Sequence, residues 1–266
     1  MLHRVRRRGL VLAAAALLSL LAPAASALLS LLAPAASALT PASGGSRPLA
    51  GRVVHLDAGH DGGNAAQPAR ARALVPAGGF RKPCNTTGTS TDSGYAEHAF
   101  TFDVVARAAA LLRAQGATVV LSRASDTGFG PCVDRRAAIG NLAHADAAIS
   151  VHADGALSSG RGFHVIAAAL APDGGNAAML ARSYRLALAV RAAFRTGTGE
   201  QYATYTAHQG LTRRSDLAGL NLSRVPTVFI ECGNMRNPGD AQRMRDPVWR
   251  QSAARALVSS LNYLRR

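Results

Sequence analysis

Four residues of this sequence have the chemical types and the positions that metal-assisted hydrolysis requires: His60, Glu97, His152 and Glu231. Two imidazoles and one carboxylate can bind zinc and leave a fourth coordination position for water, while a second carboxylate can move protons. The set predicts a zinc metallohydrolase in which His60, Glu97 and His152 bind the ion and Glu231 transfers protons.

The hydrophobic pattern shows which elements must position these residues. Short runs rich in β-branched residues predict strands, and apolar residues at helical spacing predict the segments between them as helices. The predicted strands cover 52–57, 117–122, 147–152, 162–168 and 227–231, and the predicted helices cover 96–115, 133–145, 176–194 and 247–264. This alternation predicts an α/β fold with a largely parallel twisted sheet of about six strands, flanked by helices on both faces.

In such a sheet, ligands bind where the carboxyl ends of the strands meet the loops and helix starts. His60 lies just after the first strand, His152 and Glu231 each close an apolar run, and Glu97 opens the long helix. Taken singly, each has an ordinary structural explanation; Glu97, for example, could merely favour the helix N-terminus. Glu231 is the hardest of the four to explain by a structural role alone, because a carboxylate at the end of an apolar strand is costly to bury without a partner.

The first 38 residues have the layout of a secretory leader: four arginines, an apolar run and then small residues. The segment LLSLLAPAASA at 17–27 recurs unchanged at 28–38, which indicates an 11-residue duplication. We expect cleavage after Ala38, with Ala27 as the open alternative, then a short linker at 39–50 and a catalytic domain at 51–266. The protein is therefore expected to be secreted, to the periplasm or cell wall, with no stable membrane span after cleavage.

The chain is strongly basic, with a net charge of +15 that falls to about +11 when the leader is removed. For an exported protein this sign favours anionic wall polymers or lipid head groups as surroundings, and not nucleic acid. A general arginine bias explains the charge almost as well, because Lys82 is the only lysine. Three cysteines occur, and we expect a disulfide between Cys84 and Cys132, which lie in loop-like segments, with Cys232 free at the end of a strand.

Several ordered blocks between Arg52 and Arg266 resemble the zinc-dependent N-acetylmuramoyl-L-alanine amidases of bacterial cell walls. The blocks are VHLDAGHDG at 54–62, Glu97 opening a helix, LSRASD at 121–126, RRAAIGN at 135–141, ADAAISVHAD at 145–154 and LAGLNLSRVPTVFIECGN at 217–234. The resemblance implies that His60, Glu97 and His152 bind zinc and that Glu231 is the catalytic carboxylate. It also implies that the substrate is peptidoglycan or its muropeptide fragments, cleaved between N-acetylmuramic acid and L-alanine.

Two other functions stay open at this point. A different zinc peptidase or amidohydrolase could cut within the stem peptide, since zinc ligands do not fix the scissile bond. A wall-binding module could keep the fold without activity, although all four matched positions hold the expected residue types. The protein is expected to be a monomer without a separate wall-binding module. The glycine- and proline-rich segment 61–96 leaves and returns at two predicted ligands, so it is either a lid over the cleft or a surface insertion.

Overall fold

The computed structural model describes residues 47–264 of the 266-residue chain. The predicted leader at 1–38 and residues 39–46 of the predicted linker lie outside this range. The strands are β1 (Val53–Ala58), β2 (Leu74–Pro76), β3 (Arg81–Pro83), β4 (Thr118–Leu121), β5 (Ala147–Asp154), β6 (His164–Ala168), β7 (Leu211–Arg214) and β8 (Thr227–Asn234). The α-helices are α1 (Pro68–Arg72), α2 (Glu97–Ala114), α3 (Val133–Leu142), α4 (Leu180–Thr198), α5 (Ala218–Asn221), α6 (Pro238–Arg245) and α7 (Pro247–Ser259).

Six strands form one sheet in the order β4-β1-β5-β8-β6-β7. The strands β4, β1, β5 and β8 run parallel to one another, β6 runs antiparallel to β8, and β7 is parallel to β6. The predicted α/β fold with a largely parallel sheet of six strands is confirmed. Strands β2 and β3 form a separate antiparallel hairpin within the segment that was predicted to be loop-like.

The two faces of the sheet differ in character because side chains alternate along each strand. On one face, residues such as Leu56, Ile149 and Ile230 join a large apolar core with helices α2, α4 and α7. Fully burying a side chain of this size contributes about 1.5–3 kcal/mol, so this face provides most of the stability. Leu49, within the predicted linker, is also buried in this core, and its backbone N–H donates to the carbonyl of Gln115.

The opposite face carries polar side chains and is covered by α3 and α5. Asp57 and Ser150 are register partners on β1 and β5, and the Ser150 hydroxyl donates to the Asp57 carboxylate at 2.6 Å. His152 and Phe229 also lie on this face, with their rings stacked at a centroid distance of 5.3 Å. This polar face holds the candidate site. None of the helices within residues 47–264 combines the length and the apolar character needed to cross a membrane.

Candidate active site

The structure brings the three predicted metal ligands together at the carboxyl edge of the sheet. His60 lies two residues after β1, His152 is in the last part of β5, and Glu97 is the first residue of α2. Glu97 Oε1 is 3.1 Å from His60 Nε2 and 3.0 Å from His152 Nδ1. One ligand atom from each residue lies within 4.8 Å of the other two, so the group could hold a metal ion.

The electrostatics of this group suit a cation. Burial by itself would raise the pKa of Glu97, but the charge of His60 and the hydrogen bonds of both imidazoles hold it well below its ordinary value. Conversely, burial opposes protonation of His60, and Glu97 outweighs that effect and raises the His60 pKa. The buried carboxylate thus attracts positive charge to the point between the two rings. Two nitrogen donors and one oxygen donor match the ligand types of catalytic zinc sites.

Backbone contacts fix the orientation of His60. Its Nδ1 lies 2.9 Å from the carbonyl oxygen of Thr86, which accepts the N–H and leaves Nε2 to face Glu97. His60 adopts a left-handed backbone conformation with φ of +60°, which costs energy for a residue with a side chain. The guanidinium of Arg136 donates to the His60 carbonyl oxygen at 2.8 Å and holds the loop in this conformation.

Two glycines allow the chain to pass close to the candidate metal-binding side chains. A Cβ atom at Gly59 would lie 2.6 Å from both ring nitrogens of His152. A Cβ atom at Gly88 would lie 2.7 Å from Glu97 Oε2 and 2.9 Å from His60 Cδ2. Contacts this short are not tolerated between real atoms, so any larger residue at these positions would displace a ligand.

A buried ion-pair network supports the loop that carries His60. Arg136, on the inward face of α3, donates to Asp57 Oδ1 at 2.6 Å and to Asp61 Oδ1 at 2.9 Å. Burial raises the pKa of Asp57, but the Arg136 guanidinium, helped by His55 and the Ser150 hydroxyl, lowers it well below its ordinary value, and the carboxylate is ionised. No role was predicted for Arg136. The sequence does contain a sign of its burial, because helical spacing places Arg136 on the same face of α3 as Ala137 and Gly140, and this face is buried.

Glu231 lies beside this group on the adjacent strand. It is the register partner of His152 across the β5–β8 ladder, about 4.8 Å away between strands, and it faces the same cavity. Burial, followed by the negative charges of Asp154 and Glu97, raises the pKa of Glu231 well above its ordinary value, and Arg214 opposes the shift. A carboxyl group with a raised pKa holds a proton more readily than an ordinary glutamate does, which suits a group that must accept a proton and then return it.

All four residues line one open cavity of about 370 Å³. The cavity extends along the polar face of the sheet, beneath α3 and α5, and its lining includes Lys82 and Pro83 of β3. The segment 61–96 therefore contributes to the cleft through the β2–β3 hairpin. Its proposed gating role stays a prediction.

The disulfide between Cys84 and Cys132 is present, as predicted, and Cys232 is a free buried thiol. The bridge joins the segment just before Thr86 to the residue preceding α3. Further along the same segment, the backbone N–H of Thr89 donates to Glu97 Oε2 at 2.9 Å. The cross-linked segment 84–89 thus contacts two of the three candidate ligands.

Three histidines outside this group have other partners. His55 lies 2.9 Å from the Ser122 hydroxyl in the interior, and His98 pairs with Asp126 at 2.8 Å. His164 is buried next to Asp154, 3.5 Å from its carboxylate, which also accepts the Tyr205 hydroxyl at 2.8 Å. Neither Asp154 nor this contact with Tyr205 was anticipated, because the partners are 51 residues apart in sequence.

A His-Glu-His group at the carboxyl edge of an α/β sheet, with a further carboxylate on the neighbouring strand, is an arrangement typical of metal-dependent hydrolases. Comparison with known proteins narrows this class to one family. The family model described as N-acetylmuramoyl-L-alanine amidase matches residues 54–263, and the chain belongs to this family.

Similar proteins carry the same description. The N-acetylmuramoyl-L-alanine amidase Rv3717 of Mycobacterium tuberculosis is 44% identical over 214 residues, which cover 79% of this chain and 85% of the relative. The crystal structure of the amidase Ami1 from Mycobacterium smegmatis is similar with a TM-score of 0.76 and 43% identity, covering 81% of this chain and 97% of that one. The Ami1 structure from Mycobacterium abscessus has a TM-score of 0.74 and 39% identity, covering 81% and 99%.

Proposed function

We propose that this protein is a zinc-dependent amidase that hydrolyses the bond between the lactyl group of N-acetylmuramic acid and L-alanine, in peptidoglycan or its muropeptide fragments. The observation that carries the proposal is the convergence of His60, Glu97 and His152 around one point, with Glu231 beside them on the next strand. Membership of the amidase family supports the choice of scissile bond.

In this proposal His60, Glu97 and His152 hold the zinc ion. Bound zinc supplies Lewis-acid activation of a water molecule and of the amide carbonyl. Glu231 accepts the proton that the attacking water loses as its oxygen bonds to the carbonyl carbon. The same carboxyl group then delivers that proton to the nitrogen of L-alanine as the carbon–nitrogen bond breaks, and the products are a free lactyl carboxylate and a free amine.

The chain's own residues prepare this chemistry before substrate binds. Thr86 and Arg136 fix the imidazole of His60 and its backbone. Phe229 packs flat against His152, which restricts rotation of that ring. Burial keeps the pKa of Glu231 raised, so the proton it receives is retained until the leaving amine needs it.

The location and the surroundings of the enzyme follow from the same proposal. Residues 1–38 would direct export and be removed, 39–50 would link, and 51–266 would form the catalytic domain in the periplasm or cell wall. The basic chain would suit an environment of anionic wall polymers, and the enzyme would act as a monomer. Export is consistent with the substrate, because peptidoglycan lies outside the cytoplasm.

Digestion of a defined muropeptide, with and without a chelator, tests the function. We expect mass spectrometry to find a product with a new amino terminus at L-alanine, and we expect the chelator to abolish it. Glu231→Gln should bind zinc normally and lose at least about a hundredfold in kcat, the contribution typical of a general base. A new terminus within the stem peptide would instead indicate a zinc peptidase, and binding without any cleavage would indicate a wall-binding module.

A further inference from the structure

Two cations line the cavity without taking part in the chemistry proposed above. Lys82 comes from β3 and Arg214 from β7, so two elements that are far apart in sequence bring positive charge to the same cavity. Lys82 is half-buried and is the only lysine of the chain. A lysine at this position therefore does not follow from the arginine bias of the sequence.

Both cations contact Asp216, and both keep donors to spare. The Lys82 ammonium donates to the Asp216 carbonyl oxygen at 2.9 Å, and Arg214 donates to the Asp216 carboxylate from Nε at 2.8 Å and from Nη2 at 2.6 Å. An ammonium has three N–H donors and a guanidinium has five, so several donors remain for a ligand. The three side chains together carry one net positive charge.

The position of Arg214 relative to Glu231 sets the length of ligand that could reach both. Glu231 pairs with His164 at one end of β6, and Arg214 pairs with Ala168 at the other end. Four residues along the strand and two strands across correspond to about 16 Å between the Cα atoms of Glu231 and Arg214.

The Arg214 side chain shortens this distance. Arg214 alternates onto the same face of the sheet as Glu231, and its charge acts on that carboxyl group. A peptide advances at most about 3.3–3.6 Å per residue. The span therefore suits a carboxylate on the second or third residue of a peptide whose first residue is released next to Glu231.

We propose that Lys82 and Arg214 form a carboxylate-binding subsite that selects acyl peptides with a free carboxylate on the second or third residue after the scissile amide. This inference rests on the proposed function, since that function places the scissile bond next to Glu231. It adds a specificity that the amidase reaction alone does not require: peptides in which this carboxylate is amidated are poorer substrates.

Kinetics with a matched pair of substrates test the subsite. The acidic substrate is N-acetylmuramyl-L-alanyl-D-glutamate, and the neutral one is its diamide. We expect wild-type enzyme to favour the acid by about three- to tenfold in kcat/KM, because charged hydrogen bonds at a half-exposed site contribute modestly. The difference should appear in KM and not in kcat. This preference should weaken in high salt.

Charge-removing variants assign the preference to the two residues. In Lys82→Gln and in Arg214→Gln, the ratio of kcat/KM for acid over diamide should fall toward one, while Lys82→Arg should retain it. Arg255→Gln serves as the control, since Arg255 is exposed on α7, outside the cavity lining. If both charge-removing variants keep the wild-type ratio, the subsite does not exist.

Chemical labelling gives a readout that does not depend on catalysis. Because Lys82 is the only lysine, an amine-acetylating reagent modifies one side chain, which peptide mass spectrometry separates from the amino terminus. We expect L-alanyl-D-glutamate to slow labelling of Lys82 several-fold and its diamide to have no effect. Equal protection by both peptides, or by neither, would overturn the subsite. Protection by the acid alone, combined with no cleavage of either muramyl substrate, would instead show that the proposed function is wrong and the anion site is real.

Discussion

Removing the disulfide should weaken both the fold and the metal site, because the bridge holds the segment that contacts two candidate ligands. The perturbation is the double variant Cys84→Ser/Cys132→Ser. The bridge closes a loop between residues separated by 48 positions. For a loop of this length the chain-entropy model gives a stabilisation of about 4 kcal/mol. In a domain of this size that corresponds to a fall in Tm of about 8–16 °C.

The effect on metal binding follows from the contacts next to the bridge. Thr86 accepts the N–H of His60 and the N–H of Thr89 binds Glu97, so a loosened segment releases the orientation of both ligands. Some order should persist, since the Cys84 carbonyl still accepts from the N–H of Val133 at 2.8 Å. Loss of such supporting contacts typically lowers metal affinity 10- to 100-fold, and we expect the lower end, about tenfold.

Thermal denaturation of the metal-free protein and calorimetric zinc titration against a competing chelator measure the two effects separately. Reduced wild-type protein should reproduce the double variant, and the variant itself should not respond to reductant. If the variant loses stability but binds zinc with wild-type affinity, the hydrogen bonds alone hold residues 84–89 and the argued link to the ligands is refuted. A Tm shift of less than about 3 °C would refute the cross-link as a major constraint.

Two further predictions concern the supports of the metal group. Gly59→Ala should lower zinc affinity at least tenfold by calorimetry, because the new Cβ would displace the His152 ring; unchanged affinity would show that the ring can move without loss. Arg136→Gln should cost about 3–5 kcal/mol in urea denaturation at pH 7, since it leaves the buried Asp57 charge unpaired. The pKa of Asp57 is depressed in the fold, so its contribution is present above the unfolded value and is lost as pH falls. The penalty of Arg136→Gln should therefore hold from pH 7 to about pH 4 and shrink as pH falls further, below the ordinary Asp57 pKa of 3.8; a penalty that stays constant below pH 4 would contradict the assignment.

Much of the sheet was predictable because local pattern and tertiary role agree there. Strands β1, β5 and β8 are short apolar runs ended by polar residues, and each lies where the sequence predicted it. The start of α2 at Glu97 was also predicted, as was the pairing of Cys84 with Cys132. The strands and the helix start depend on residues close in sequence, and the disulfide depends on a choice among only three cysteines.

Elements held by their neighbours were not predictable in the same way. No strand was predicted at β7, Leu211–Arg214, because its sequence shows no alternation of apolar and polar residues. Pairing with the edge of β6 creates this strand, in which two residues are half-buried and two are exposed. The polar helix α6, Pro238–Arg245, has little apolar pattern, although Asn237 and Pro238 form a readable start: the Asn237 side chain accepts from two backbone N–H groups. Nothing local marks β6 as antiparallel to β8.

The alternation of side chains that builds the core also explains where the chemistry lies. Along β5, the residues Ala147, Ile149 and Val151 point into the apolar core, so Ser150 and His152 must point to the opposite face. A face that carries buried carboxylates such as Asp57 needs a cation from whatever covers it. Helix α3 covers this face, and its one buried arginine, Arg136, supplies that cation.

This requirement makes fold and function inseparable at α3. The same guanidinium that neutralises Asp57 also donates to the His60 carbonyl oxygen, so the residue that permits a polar face to be buried also positions a candidate metal ligand. Substituting lysine would keep the charge but not the several directed donors of the guanidinium fork. We therefore expect Arg136→Lys to recover part of the stability lost in Arg136→Gln and little of the zinc affinity. Equal recovery of both quantities would show that charge alone, and not donor geometry, organises the His60 loop.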